Sequence, residues 1–187
     1  MRDKELHALP PAKAHFNEPM YAKTVQSLPE GADWLYEVKL DGYRCLAGSN
    51  QRKVTLWSRR ANLFTKEFPA IARACEALPP DTLVDGEVVA LDKTGRISFN
   101  VLQHHRSNAQ ALLFYAFDLL VYRGKSLLNL PLDTRRELLI KALSDAVRPA
   151  DSPVHMSEAF TAKPRELLDA AKELGLEGII AKQKGSV

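Results

Sequence analysis

Two short runs of alternating apolar and polar residues flank a tight turn in the first third of the chain. The runs cover residues 34–38 and 43–47, and the turn between them carries Asp41-Gly42. Alternation with a period of two is typical of a strand with one buried face, and Asp-Gly is a strong hairpin signal. The pattern therefore predicts a β-hairpin whose tip lies close to Lys39.

Strand and helix patterns are interspersed along the rest of the chain. Apolar and β-branched runs predict strands at residues 54–57, 82–91, 112–121 and 178–181. Helical spacing predicts helices over residues 65–78, 98–105, 133–143 and 164–174, with Thr65 and Asp133 as N-caps and Leu174 buried before Gly175. Because strands and helices do not alternate regularly, the predicted fold class is α+β, with antiparallel β-sheets flanked by helices.

The chain is long enough, at 187 residues, for one domain with a substantial core. Residues 1–18 contain Pro10 and Pro11 among polar positions, and Pro19 follows them. Proline favours extended backbone in itself and in the residue before it. We therefore predict an extended N-terminal arm over residues 1–18 and one domain over residues 19–187.

The composition is that of an ordinary soluble globular protein, with 45% apolar and 26% charged residues. It argues against a disordered chain, and no apolar run reaches the roughly 20 residues of a membrane-spanning helix. The formal net charge of +3 permits a nucleic acid partner without requiring one. Cys45 and Cys75 have no metal-ligand spacing, so we expect reduced core thiols in a cytoplasmic protein that carries no signal peptide.

Lys39 is the first candidate for chemistry. A protonated lysine is a poor nucleophile, and burial or a nearby cation must lower its pKa before it can attack a carbonyl or a phosphorus. Lys39 lies between Val38 and Leu40, with Arg44 close in sequence, so both effects could act on it. The alternative is a solvated lysine at a hairpin tip, and the short motif alone does not decide between them.

Five short stretches of the chain stand out as further candidates for chemistry. In order, they are Lys39-Leu40-Asp41-Gly42-Tyr43-Arg44, Ser58-Arg59, Asp85-Gly86-Glu87, Phe117-Asp118-Leu119-Leu120 and Glu177-Gly178-Ile179-Ile180-Ala181-Lys182. The first resembles the KxDGxR motif of covalent nucleotidyltransferases, in particular ATP-dependent DNA ligases, and the others resemble the SR, DGE, FDLL and EGxxxK motifs of that family. The likeness runs from about Pro19 to the end of the chain and is strongest to the adenylation domain of bacterial non-homologous end-joining ligases.

The resemblance implies an ATP-grasp-like nucleotidyltransferase domain and a defined reaction. Lys39 would attack the α-phosphorus of ATP, expel pyrophosphate and hold AMP as a phosphoramidate. AMP would then pass to a DNA 5′-phosphate at a nick, and a 3′-hydroxyl would displace it and seal the strand in DNA repair and recombination.

The resemblance also assigns nucleotide-binding roles. Arg44 and Arg59 would contact the ribose or the phosphates, Lys182 would reach the α-phosphate, Phe117 would stack on adenine and Glu37 would contact the adenine amino group. Cations suit such a site because displacement at phosphorus places charge on oxygens. From pattern alone, Arg59 could equally be a solvated charge beside Arg60, Phe117 a core residue and Glu37 a surface residue.

Glu87 and Glu177 are the candidate metal ligands. Carboxylate oxygens suit Mg²⁺, which binds one or two of them together with phosphate oxygens and water. From pattern alone, each glutamate could instead be exposed at a strand end or paired with a lysine. Their joint placement in two family motifs favours a shared Mg²⁺.

The chain ends at Val187, whereas the family continues into another lysine-bearing strand and an OB-fold domain. We therefore expect an adenylation domain truncated before the last lysine motif, and we expect no detectable nick sealing by these 187 residues alone.

Two other interpretations stay open at this point. An RNA ligase or a GTP-using capping enzyme belongs to the same superfamily, and a non-catalytic module that binds nucleotide or DNA belongs to a different class. For the favoured interpretation we predict ATP and Mg²⁺ as cofactors, nicked double-stranded DNA and other end-joining proteins as partners, no membrane partner, a monomeric state and a nucleoid-associated location in the cytoplasm.

Overall fold

A computed structural model describes residues 2–51, 53–105, 111–144 and 151–187. The strands are β1 (Trp34–Lys39), β2 (Tyr43–Asn50), β3 (Lys53–Ser58), β4 (Thr82–Ala90), β5 (Leu112–Tyr122), β6 (Lys125–Ser126), β7 (Val154–Met156) and β8 (Gly178–Gln183). The helices are α1 (Asp3–His7), α2 (Pro69–Ala74), α3 (Phe99–Gln103), α4 (Leu132–Leu143) and α5 (Pro164–Glu173). Among the described residues, no helix is both long and apolar enough to cross a bilayer.

The described residues form two sheets, and the larger one, with six strands, supplies most of the core. Its order is β3-β2-β4-β5-β6, with every neighbour antiparallel, and β7 pairs with β5 in parallel. The predicted α+β class with antiparallel sheets is therefore confirmed, with one parallel pair that the sequence did not predict. One face of this sheet is covered by α2, α3 and α4, and the apolar side chains between them include Phe68, Phe114 and Leu139, each at most 1% exposed.

A second sheet pairs β1 with β8 in antiparallel register, and Lys39 lies opposite Gly178. The predicted hairpin between residues 34–38 and 43–47 is therefore wrong, because β2 pairs with β3 and β4 instead. The chain bends at Gly42, and this bend carries it from the small sheet to the large one. Gly42 fits there because a Cβ at this position would lie 2.2 Å from the carbonyl oxygen of Val88.

The small sheet is held against the rest of the protein through backbone contacts. Tyr36 exchanges two hydrogen bonds with Phe160, at 3.1 and 2.8 Å. The residues after β8 reach the first turn of α4, where the amides of Leu132 and Asp133 donate to the carbonyl oxygens of Ser186 (2.8 Å) and Lys184 (3.1 Å). These contacts fix β1 and β8 beside the large sheet, so that a cleft separates the two sheets.

The N-terminal residues differ from the predicted extended arm over residues 1–18. Asp3–His7 is helical, and Leu6 is buried against the core. Lys125 donates from Nζ to the carbonyl oxygens of His7 (2.9 Å) and Leu9 (3.0 Å). The helix forms because Leu6 packs against the core. The two prolines do not prevent it, because they follow the helix rather than interrupt it.

Several helix boundaries also differ from the sequence prediction. The second helix begins at Pro69, and the Thr65 hydroxyl accepts a hydrogen bond from the Leu56 amide (3.0 Å) instead of capping a helix. Asp133 lies inside the first turn of α4 rather than before it. Leu174 is 62% exposed, so the predicted apolar face of α5 is only partly covered. Cys45 and Cys75 are free and buried, as predicted.

Candidate active site

The predicted site residues come from both sheets and meet in one cleft of about 890 Å³. The small sheet contributes Glu37 and Lys39 from β1, Lys182 from β8 and Glu177 just before β8. The large sheet contributes Arg44 from β2, Glu87 from β4 and Phe117 from β5, and Arg59 follows β3. All eight residues line this cleft, although 145 residues of sequence separate the first from the last.

Lys39 forms an ion pair with Glu177 at the mouth of the cleft, between Nζ and Oε1. The antiparallel register of β1 and β8 explains this contact, because it places the end of one strand at the start of the other. The Lys39 side chain is 44% exposed. Of the two environments that the sequence left open for Lys39, this structure has the solvent-accessible one, and the charged group that contacts Nζ is a carboxylate rather than the Arg44 guanidinium.

Arg44 is held in a fixed position by Asp85. Its Nε and Nη2 donate to the two carboxylate oxygens of Asp85, at 2.6 and 2.5 Å, and Nη2 also donates to the carbonyl oxygen of Met20 at 3.3 Å. A bidentate pair of this kind fixes both the position and the orientation of the guanidinium plane. Burial raises the pKa of Asp85, although the hydrogen bond from Arg44 opposes that shift.

Glu87 lies beside this pair, because Arg44 and Glu87 are directly opposed on β2 and β4. Burial raises its pKa to about 7, and the positive charge of Arg44 only partly opposes the shift. A carboxylate whose pKa is this high gains from a cation that compensates its lost hydration. Among the described residues, no group of three or more His, Cys, Asp or Glu is placed to hold a metal ion.

The ring of Phe117 carries two cations. The guanidinium carbon of Arg44 lies 4.7 Å from the ring centroid, and Nζ of Lys182 lies 4.5 Å from it. Cations favour such positions over an aromatic face. Phe117 is only half-buried and lines the cleft, so the alternative that it is a plain core residue is wrong.

Glu37 is 2% exposed, which rules out the alternative of a surface position. Its carboxylate accepts from Arg136 and from Lys182 (2.9 Å) at Oε1, and from the Ser157 hydroxyl (2.9 Å) at Oε2. Burial lowers the pKa of Lys182, while the neighbouring Glu37 charge opposes that shift.

Arg59 and Arg60 are exposed at the rim of the cleft, where the chain turns away from β3. The Ser58 hydroxyl shapes this turn by accepting hydrogen bonds from the amides of Arg60 (3.3 Å) and Asn62 (3.1 Å). The turn also places Ala61 at a φ of 61°. Exposure leaves both guanidinium groups accessible to a ligand in the cleft.

Two arginines of α4 belong to the site but were not predicted from the sequence. Arg135 donates to Asp118 through Nε (2.9 Å) and Nη2 (3.1 Å), and Arg136 pairs with Glu37. They lie between Leu132 and Leu139 at positions i, i+3, i+4 and i+7. A sequence signal for both arginines did exist, because they occupy positions of the apolar face of the helix. Charged residues on such a face are buried only when they have partners.

Comparisons with known sequences all point to the same family of proteins. The sequence model described as "ATP dependent DNA ligase domain" matches residues 17–187. The multifunctional non-homologous end joining protein LigD of Pseudomonas aeruginosa is 34% identical over 171 residues, which cover 90% of this chain and 20% of that protein. DNA ligase C of Mycobacterium tuberculosis is 30% identical over 191 residues, covering 95% of this chain and 51% of that protein.

The fold places the chain with ligase domains of known structure. The ligase domain of M. tuberculosis LigD superposes with a TM-score of 0.72 and 32% sequence identity, covering 95% of this chain and 55% of that one. A mycobacterial DNA ligase D complexed with ATP and MES gives a TM-score of 0.71 and 29% identity, with the same coverage.

The chain therefore belongs to the family of ATP-dependent DNA ligase domains. It spans only 20% to 51% of the length of these two curated relatives.

Proposed function

We propose that the chain is the adenylation domain of a DNA ligase and that Lys39 is its nucleophile. The observation that carries this proposal is the meeting of Lys39 with Arg44, Arg59 and Lys182 in one cleft. A lysine nucleophile beside cations that can receive phosphate oxygens is the arrangement that nucleotidyl transfer requires.

The reaction proceeds by two exchanges at the α-phosphorus and one at the DNA phosphate. Nζ of Lys39 loses a proton and forms a P–N bond, while the bond from the α-phosphorus to the bridging oxygen breaks and pyrophosphate leaves. A DNA 5′-phosphate oxygen then replaces the lysine nitrogen. The 3′-hydroxyl finally forms the new phosphodiester bond, and AMP leaves.

The other groups of the cleft bind and orient the nucleotide. Lys182 serves the α-phosphate, Arg44 and Arg59 serve the ribose or the phosphates, Phe117 stacks on adenine, and Glu37 accepts from the adenine amino group. The bidentate Arg44–Asp85 pair and the buried Glu37 network support these roles, because a group held rigidly loses little entropy when it binds a ligand.

Glu87 and Glu177 are the residues that would hold Mg²⁺, and both offer the oxygen donors that this ion prefers. Mg²⁺ would supply positive charge to the phosphate oxygens during displacement. Glu177 is paired with Lys39 in this structure, so that ion pair has to separate before either group performs its proposed role.

The substrate, partners and location follow from the family. The LigD relative of Pseudomonas aeruginosa is named for non-homologous end joining, and it is a bacterial protein. We therefore propose nicked DNA as the substrate, other end-joining proteins as partners and the nucleoid in the bacterial cytoplasm as the place of action. We also propose that residues 19–187 act as a monomeric domain.

Covalent labelling tests the proposal. The protein is incubated with α-labelled ATP and Mg²⁺, denatured and examined on a gel. We expect label on the wild type and on Lys53→Ala, which changes an exposed lysine of β3, and we expect none on Lys39→Ala. Label that persists in Lys39→Ala would contradict the assignment of the nucleophile. A nicked duplex added to the labelled protein then shows whether AMP passes to DNA.

A further inference from the structure

The carboxylate of Glu37 has almost all of its acceptor positions filled by protein donors. Oε1 accepts from Arg136 and from Lys182, and Oε2 accepts from Ser157. A carboxylate offers about four lone-pair sites and, when ionised, it cannot donate. Within the described parts of the chain, one acceptor position therefore remains on Oε2, and Glu37 is one of the residues that line the cleft.

Arg136 connects this carboxylate to two other parts of the site. Its Nη2 donates to the carbonyl oxygen of Ser157 at 2.9 Å, and Nη1 lies 3.5 Å from the carbonyl oxygen of Phe117. Arg136 itself is 8% exposed and belongs to α4. One guanidinium group thus contacts Glu37, the segment that contains Ser157, and the strand that contains Phe117, the residue proposed to stack on adenine.

The two cations on Glu37 are not equivalent. A buried carboxylate stays ionised only while nearby cations and donors compensate its lost hydration. Lys182 contacts the Phe117 ring as well as Glu37, and its proposed role is to bind the α-phosphate. When Lys182 turns to a phosphate, Arg136 is the cation that remains with Glu37.

We propose that Arg136 and Ser157 are positioning residues that keep Glu37 as an acceptor-only group, so that the cleft selects a purine with a 6-amino group against one with a 6-oxo group. This role rests on the proposed function, because it assumes that a nucleoside triphosphate binds with its base on Phe117. A 6-amino group can donate to the open position on Oε2, whereas a 6-oxo group brings a second acceptor against it.

Three triphosphates test this role through their affinities. ATP carries the 6-amino group, purine riboside triphosphate carries hydrogen at that position, and inosine triphosphate carries a 6-oxo group. We expect wild-type protein to bind ATP more tightly than either analogue, by about tenfold or more. In Arg136→Met we expect this preference to fall about tenfold, and in Ser157→Ala we expect a smaller fall. Arg136→Lys, which retains the charge, should keep most of the preference.

Isothermal titration calorimetry without Mg²⁺ measures these affinities in the absence of lysine adenylation, so it remains informative if covalent labelling fails and the proposed nucleophile is wrong. Leu139→Ala is the control, because it removes a core side chain from the same helix. It should leave the ratio of the affinities unchanged.

Either of two results would overturn the role. One is wild-type protein that binds all three triphosphates equally. The other is Arg136→Met or Ser157→Ala protein that loses affinity for all three by the same factor, which is the signature of a structural role alone. If Arg136→Met does not fold, Ser157→Ala decides the question, because it removes only one hydroxyl.

Discussion

The charged residues of the cleft are held by one another as much as by the backbone. Ion pairs join Arg44 to Asp85, Lys39 to Glu177, Arg135 to Asp118, and Glu37 to both Arg136 and Lys182. Removing one partner of a buried pair leaves a charge that neither water nor protein compensates. The effect of a substitution here therefore depends on which charged group loses its partner.

Asp85→Asn tests the importance of the Arg44 anchor. Asp85 is 3% exposed, so we expect the free energy of unfolding to fall by about 3 kcal/mol. We also expect weaker ATP binding, because Arg44 loses its fixed orientation. Denaturant titration and calorimetry measure the two effects. The control is Glu5→Gln, which removes an exposed pair with Arg2 and should change neither quantity. An unchanged unfolding midpoint in Asp85→Asn would contradict the anchoring role.

The buried thiol of Cys75 should lower the stability of the protein at alkaline pH. Burial raises the pKa of Cys75 from 9.0 to about 12. Above pH 9 the unfolded chain releases this proton while the folded chain retains it, so stability falls as the pH rises from about 9 to about 12. The slope from one thiol is about 1.4 kcal/mol per pH unit. Denaturant titrations at several pH values should show a smaller slope for Cys75→Ala than for wild type; equal slopes would argue against this origin.

The link between β1 and β2 determines where Lys39 lies. Gly42 packs directly against the backbone of β4, where its missing Cβ would meet the Val88 carbonyl oxygen and, at 3.0 Å, Cγ of Glu87. Backbone atoms cannot move aside cheaply. The position of the proposed nucleophile therefore depends on a contact with the strand that carries a proposed metal ligand.

Gly42→Ala should disturb both stability and chemistry. We expect a loss of about 2 kcal/mol from overpacking, together with slower covalent labelling of Lys39, because the end of β1 has to shift. Gly185→Ala is the matched control, since no atom lies within 4 Å of the Cβ that it would add. Unfolding titrations and labelling rates measure the two effects. Wild-type values for Gly42→Ala would mean that the close approach has no consequence.

Local patterns predicted individual elements better than their partners. The runs that predicted strands at residues 54–57, 82–91 and 112–121 correspond to β3, β4 and β5. The hairpin failed because a turn signal specifies a change of direction, whereas strand pairing is decided by contacts distant in sequence, such as that between Lys39 and Gly178. For the same reason, the pairing of Arg136 with Glu37, 99 residues apart, could not be read from helix periodicity.

The cleft lies between two sheets of very different size. A two-stranded sheet is marginal by itself in water, so β1 and β8 depend on the contacts they make with the rest of the protein. Several of these contacts are made by the site residues, including the one between Lys182 and Phe117. A ligand that binds groups from both sheets should therefore stabilise the small sheet.

Hydrogen exchange followed by mass spectrometry tests this coupling. Without nucleotide, we expect amides of β1 and β8 to exchange faster than those of β4 and β5, which are central in the large sheet. A non-hydrolysable ATP analogue should slow exchange in β1 and β8 more than in β3. Equal protection of all these strands, with or without the analogue, would show that the two sheets behave as one rigid unit.

The two cations over Phe117 have a consequence for which molecules the cleft can hold. A base that stacks on this ring takes the place that Lys182 occupies in the structure, because Arg44 is anchored on Asp85. A neutral nucleoside displaces that cation and has no anionic group to pair with it, whereas a nucleotide has phosphate oxygens that can pair with the displaced cation. We therefore expect affinity to rise steeply from adenosine to AMP to ATP, and to rise less steeply in Phe117→Leu. The ring and its cations would thus discriminate against the unphosphorylated metabolites that share the same base.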